Sequence, residues 1–157
     1  MSSSAVRGSF VHLAFALLAL VLCGVAEDLL PKVHGAGFPF LLAVSQLVAS
    51  RWRTAEVVLF ALAAGAFEDS ISSLPVMTSA SFFLFASMPV KWLRFPAVAT
   101  VLSYPTYHLW LTIWAPLPDG EAWSRFLLSA PIACVTAYAT AAVFAWTERK
   151  AAVGEQD

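Results

Sequence analysis

Six apolar segments, separated by short polar stretches, occupy most of this 157-residue chain. A helix that crosses a bilayer takes about 20 apolar residues, so six of them would use most of the sequence and leave only short loops. Charged residues make up 12% of the chain, against roughly 25% in soluble domains. We therefore predict an all-α membrane protein with six transmembrane helices, forming a single polytopic domain over residues 1–157. The predicted spans are residues 10–25, 37–50, 55–67, 76–90, 95–114 and 123–146.

The second, third and fourth segments are short, with only about 13 to 15 clean apolar residues each, fewer than the ~20 of a typical span. Such segments can recruit polar flanks, thin the bilayer locally or pack inside the bundle. A re-entrant arrangement of one of them stays open. The first segment follows Arg7 and is also compatible with a signal peptide, but five further apolar segments favour an uncleaved first helix.

Positive charges alternate from loop to loop along the chain. With a cytoplasmic N-terminus, seven cations fall on cytoplasmic flanks and only Lys32 and Arg125 fall outside. The positive-inside rule and the aromatic belt of membrane proteins both favour this orientation, with both termini in the cytoplasm. The cytoplasmic cations are Arg7, Arg51, Arg53, Lys91, Arg94, Arg149 and Lys150; the tryptophans are Trp52, Trp92 and Trp146 inside, and Trp114 and Trp123 outside.

Small residues recur at four-residue spacing in two segments. Helices in a bilayer associate through close backbone approach and interhelical hydrogen bonds, which small residues permit. Ala61 and Gly65 form such a pair in the third segment. A longer helix-packing stripe in the sixth segment consists of Ala133, Ala137, Ala141 and Ala145. We predict that both are packing faces, within this protein or against a partner helix.

The most polar patch within a predicted span is SYPTYH, residues 103–108. Pro105 removes one backbone donor and frees carbonyl groups, which nearby hydroxyls can satisfy. Alternatively, Tyr104, Tyr107 and His108 line a small polar cavity.

Patterns typical of catalysis are missing from the sequence. The three histidines, His12, His34 and His108, fall in separate parts of the chain, and no metalloprotease, nucleophile-elbow or phosphate-loop motif is present. Cys23 and Cys134 lie inside apolar runs without a partner at metal-ligand spacing. A net charge of −1 gives no basic field for nucleic acid. We therefore expect no enzyme, no metal or other cofactor, and no nucleic-acid partner.

Two adjacent acids, Glu68 and Asp69, follow the third segment and precede a serine-rich turn. Acids at the outer interface are ordinarily solvated. Because the third segment is short, however, a spanning helix pulls these two toward the membrane boundary, where a carboxylate is costly unless it is paired or hydrogen-bonded. We predict that they lie in the outer turn between the third and fourth helices, where they close the third helix and offer a charged feature.

The stretch around these acids resembles the MreD family of rod-shape-determining membrane proteins. The matching pieces are Pro39 at the start of the second segment, the cations of residues 51–53, and then Gly65, Asp69 and Pro75. The family pattern has further glycines four and eight residues after the aspartate. This chain has Ser73 and Met77 at those positions.

The resemblance implies a multi-pass scaffold of the bacterial cytoplasmic (inner) membrane that helps to maintain rod shape. MreD proteins assemble with the bitopic protein MreC, the RodA glycosyltransferase, a class B penicillin-binding protein and actin-like MreB filaments, and the complex directs lateral peptidoglycan synthesis. The resemblance also implies that Asp69, with Gly65 and Pro75, shapes the outer end of the third and fourth helices.

Two other functions stay open. The substrate-binding S components of energy-coupling-factor vitamin transporters also have six spans and a similar size. In that case Tyr104, Tyr107 and His108, with Glu68 and Asp69, would form the ligand pocket. A small channel or ion-coupled carrier would need ionisable groups deep within several spans, and here His108 is essentially alone.

Overall fold

The fold is all-helical, as predicted. The computed structural model describes residues 3–32, 36–72, 74–93, 95–114 and 119–154, and these contain six α-helices and no strand. The helices are α1 (Ser3–Leu29), α2 (Phe40–Arg51), α3 (Thr54–Ile71), α4 (Thr78–Leu93), α5 (Pro96–Trp114) and α6 (Asp119–Gly154). Each apolar segment of the sequence corresponds to one helix. Because α3 continues to Ile71, Glu68 and Asp69 belong to its last turn and not to the turn that follows it.

The shortest helix, α2, lies at the centre of the bundle. It contacts each of the other five helices, and every residue from Leu41 to Ala49 is buried. At about 1.5 Å per residue its 12 residues extend over roughly 18 Å. A segment too short to reach across a ~30 Å hydrocarbon layer is thus enclosed by longer helices.

One end of the bundle, which we call the Trp52 end, is held by contacts around the residue that follows α2. The Trp52 ring packs edge-on against Phe15 of α1 and Phe60 of α3. The Lys91 ammonium, near the end of α4, donates a hydrogen bond to the Trp52 carbonyl at 2.5 Å. These contacts join the first halves of α1 and α3 to the ends of α2 and α4, as expected for an up-and-down helical bundle.

Helices α3 and α4 approach most closely at Gly65. A Cβ atom at this position would overlap the backbone of Ala80 on α4. Ala61, one turn earlier, and Ala80 itself are fully buried. The small-residue pair of the third segment therefore packs inside the protein, against α4.

The alanine stripe of α6 is buried only in its first half. Ala133 and Ala137 are buried, Ala141 is exposed and Ala145 is half-buried. The buried half supports the packing of α6 on its neighbours, which include α5 and α2.

Large apolar side chains cover the outside of the bundle. They are exposed on α1, α3, α4, α5 and α6, with Leu22, Leu59, Phe85, Leu102 and Val135 each 59% exposed or more. Within the described part of the chain, one stretch, Trp123–Trp146 of α6, is long and apolar enough to cross a membrane by length and composition, with a mean hydropathy of 1.8.

Replacing Gly65 by valine should separate α3 from α4. The new side chain would have to push the Ala80 backbone away, and overpacking of this kind costs roughly 1–3 kcal/mol. We expect a lower melting temperature for Gly65→Val than for Ala66→Val, because Ala66 is exposed on the same helix. Equal melting temperatures for the two variants would contradict the close crossing.

Candidate functional site

A cavity of about 220 Å³, with both apolar and polar side chains in its wall, lies at the opposite end of the bundle, where α1 and α3 end and α2 and α6 begin. We call this the cavity end. The chemistry-bearing side chains of its lining are Glu27, Lys32, Glu68, Ser72, Tyr104, Tyr107, His108 and Arg125. The site thus combines acids, cations and aromatic hydroxyls drawn from four helices and the loop after α1.

Glu27, in the last turn of α1, caps the start of α2. Its Oε1 accepts a hydrogen bond from the Leu41 amide at 2.6 Å. The residue at the helix N-cap is Pro39, which makes no side-chain cap. The first amides of a helix lack partners within it and carry a partial positive charge, so a carboxylate stabilises them. The central helix therefore depends on an acid from another helix.

Glu68 of α3 lies near Glu27, and both side chains line the cavity. The Ser72 hydroxyl donates a hydrogen bond to Glu68 Oε1 at 2.9 Å. The cavity wall therefore carries one acid from α1 and one from α3, each held by its own hydrogen bond.

Asp69 turns away from the cavity and caps α4 instead. Its Oδ1 accepts a hydrogen bond from the Ser79 amide at 2.7 Å, and its side chain is only 5% exposed. Asp69 is not among the residues that line the cavity. Of the two adjacent acids, Glu68 faces the cavity and Asp69 serves the neighbouring helix.

The residue immediately before α4 has an unusual backbone. Met77 has φ of 74°, and it is the one non-glycine residue with positive φ in the described part of the chain. This left-handed conformation costs an L-residue roughly 1–2 kcal/mol and is the one that glycine adopts freely. The turn between α3 and α4 is therefore strained at Met77.

The two tyrosines of α5 hold the starts of other helices. Tyr104 donates a hydrogen bond to the Gly37 carbonyl, before α2, at 2.6 Å. The Tyr107 hydroxyl is 2.5 Å from the Ser79 hydroxyl, at the start of α4. These hydroxyls therefore bond to other elements and do not satisfy carbonyls freed by Pro105. Both tyrosines are buried and line the cavity, as one of the two sequence-based interpretations required.

Two nitrogen atoms of residues that line the cavity are buried without a partner among the described residues. One is His108 Nε2 of α5, whose side chain is 9% exposed. The other is Nε of Arg125 on α6. The Arg125 Nη2 atom lies 3.3 Å from Glu121 Oε2, one turn earlier on the same helix. Buried donors of this kind are normally satisfied, so they mark a place where an acceptor belongs.

The remaining predicted residues are placed as follows. Pro39 is buried before α2, and the carbonyl of the exposed Pro75 accepts a hydrogen bond from the Thr78 amide at 3.1 Å. Among the described residues, no group of three or more His, Cys, Asp and Glu side chains is arranged to hold a metal ion. The predictions for His34, Ser73 and Arg94, and for the side chains of Arg7, His12, Arg149 and Lys150, lie outside the described part of the chain.

Sequence reasoning missed Glu27, Lys32 and Arg125 as members of this site. Glu27 and Lys32 lie close together just after the first segment and Arg125 lies in the sixth, and no motif connects them with the other lining residues. Two features of the sequence pointed to them. Lys32 and Arg125 are the two cations predicted on the outer side. In addition, α2 begins after Pro39, which has no side chain that could cap the helix, so another residue had to do so.

Comparison with known proteins does not assign the chain to a family. No protein-family model matches the chain, and neither a curated protein nor a solved structure matches it significantly.

Replacing Met77 by glycine should stabilise the protein, because glycine relieves the left-handed strain. The gain is partly offset by the greater freedom of glycine in the unfolded chain, so we expect a net gain of up to about 1 kcal/mol. Thermal unfolding of Met77→Gly and of Val76→Gly measures this. Val76 is also exposed but lacks a positive φ. A higher melting temperature for Val76→Gly than for Met77→Gly would contradict the strained turn.

Proposed function

We propose that this chain is a multi-pass protein of the bacterial cytoplasmic (inner) membrane, with six spans and both termini in the cytoplasm. The exposed apolar side chains on the five outer helices support this, since soluble monomers rarely expose extensive apolar surface. The tryptophans near helix ends also support it, because Trp92, Trp114, Trp123 and Trp146 are all more than half exposed, as members of an interfacial belt would be.

The distribution of charge supports the proposed orientation. Arg51, Arg53 and Lys91 lie at the Trp52 end, which would face the cytoplasm, and Lys32 and Arg125 lie at the cavity end, which would face outward. Helices α3 and α4, with 18 and 16 residues, are about 27 and 24 Å long. On this proposal the bilayer is locally thin around them, and α2 is shielded from lipid.

Within that membrane we propose a scaffold of the cell-elongation machinery, similar to MreD. The observation that carries this proposal is that the residues of the MreD-like motif build one structural unit. Gly65 allows α3 to contact α4, Asp69 one turn later caps α4, and Pro75 lies in the turn between them. Met77 stands where the family has glycine, and its backbone adopts the conformation that glycine favours.

In this role the protein would hold other membrane proteins and would not carry out chemistry itself. The proposed partners are an MreC-like protein, RodA, a class B penicillin-binding protein and MreB filaments, and the outcome is organised lateral peptidoglycan synthesis and a maintained rod shape. The rigid α3–α4 hairpin would present a fixed outer surface to these partners. Neither a cofactor nor nucleic acid has a role in the proposal.

The cavity favours a second candidate, the substrate-binding subunit of a vitamin uptake system. It brings together Tyr104, Tyr107, His108 and Glu68, four of the five residues that this function would use. The fifth, Asp69, caps α4 instead.

Affinity purification from the native membrane tests the two candidates together. A scaffold should co-purify with an MreC-like protein and penicillin-binding proteins. This yield should fall in Asp69→Ala, which loses the cap of α4, and should be largely kept in Asp69→Asn, which keeps a side-chain oxygen in place. Asp28→Ala is the control, because Asp28 is exposed. Recovery of an ATPase module with a bound vitamin, and no cell-wall proteins, would contradict the scaffold.

A further inference from the structure

We propose that the cavity binds a small zwitterion of amino-acid size. Its anionic group would lie between His108 and Arg125, and its ammonium group against Glu27 and Glu68. The site does not depend on the scaffold function, since a scaffold and an uptake subunit could both carry it.

The anionic half of the site follows from the two unpartnered nitrogen atoms. His108 Nε2 and Arg125 Nε come from α5 and α6, both residues line the same cavity, and both atoms are buried. Arg125 is permanently charged and its Nε is always a donor, and His108 Nε2 is a donor in one of the two neutral tautomers. One carboxylate can accept from both, because its two oxygens offer several lone pairs. A bound carboxylate would therefore satisfy both nitrogen atoms.

Lys32 adds to this half of the site. It lines the cavity from the loop after α1. Lys32 and Arg125 are the two cations predicted on the outer side of the sequence, and both border this one cavity. The few positive charges predicted on the outer side are thus gathered at this cavity.

The cationic half of the site is the pair of acids from α1 and α3. Glu27 and Glu68 both line the cavity, so this wall carries two carboxyl groups. One oxygen of Glu27 is occupied by the Leu41 amide, and one of Glu68 by Ser72. A ligand ammonium group would supply the charge partner that a buried carboxylate requires.

The size and the balance of charge define the class of ligand. A volume of about 220 Å³ holds roughly seven waters at ~30 Å³ each, and is smaller than the ~300–1,000 Å³ of drug-sized sites. The two acids would repel a simple anion, and Lys32 and Arg125 would repel a simple cation. A small molecule that carries both charges satisfies both walls.

Thermal unfolding of the full-length, detergent-purified protein tests the proposal. The probes are the twenty standard amino acids, each added singly at millimolar concentration, with acetate and methylammonium as single-charge controls. We expect at least one amino acid to raise the melting temperature, and neither control to do so. Titration calorimetry then gives the affinity of that amino acid.

Variants locate the binding site. Arg125→Gln and Glu68→Gln should each weaken the binding of the stabilising amino acid roughly ten- to a hundredfold, because each removes a charge-assisted contact. Arg53→Gln and Asp28→Asn change charges that are exposed and outside the cavity lining, so they should keep the affinity. His108→Gln is a second test of the anionic half if Arg125→Gln fails to fold.

Two results would overturn the proposal. One is that no amino acid stabilises the protein more than acetate or methylammonium does. The other is that binding survives unchanged in folded Arg125→Gln or His108→Gln. Loss of binding in these variants with normal co-purification of cell-wall proteins would support the zwitterion site and separate it from the scaffold function.

Discussion

Carboxylates at the ends of two helices complete the starts of two others, and the rest of the bundle depends on this exchange. Glu27 of α1 binds the Leu41 amide of α2, and Asp69 of α3 binds the Ser79 amide of α4. Helix starts in a buried or lipid-facing position cannot rely on water for their free amides. Because α2 lies at the centre and contacts every other helix, the acid that closes its start also supports the whole packing arrangement.

The same exchange explains why the cavity wall contains charged side chains. An acid that caps a buried helix must itself lie at depth, and Glu68 lies near Glu27 in the cavity lining. Tyr104 secures the loop before α2 from the side of α5. The cavity lies between these elements. Acids on α1 and α3 border it, together with His108 on α5 and Arg125 on α6. The candidate ligand site is thus a consequence of how the helices are joined.

The sequence predicted the helices well because each one is an apolar run bounded by charge or proline. The resemblance to MreD implied that Gly65 and Asp69 act together, and both lie where α3 meets α4 in the structure. The sequence could not predict that Asp69 reaches Ser79 while Glu68 faces the cavity, because that depends on the direction of each side chain in the last turn of α3. Nor could it find Glu27, whose partner lies 14 residues away on another helix.

Amide hydrogen exchange, followed by NMR in detergent, tests the capping of α2 and α4 most directly. The amides of Leu41 and Ser79 should exchange slowly in the unaltered protein. Glu27→Ala should speed exchange at Leu41 far more than at Ser79, and Asp69→Ala should do the reverse. Rapid exchange at both amides in the unaltered protein, or exchange that neither substitution changes, would contradict the account.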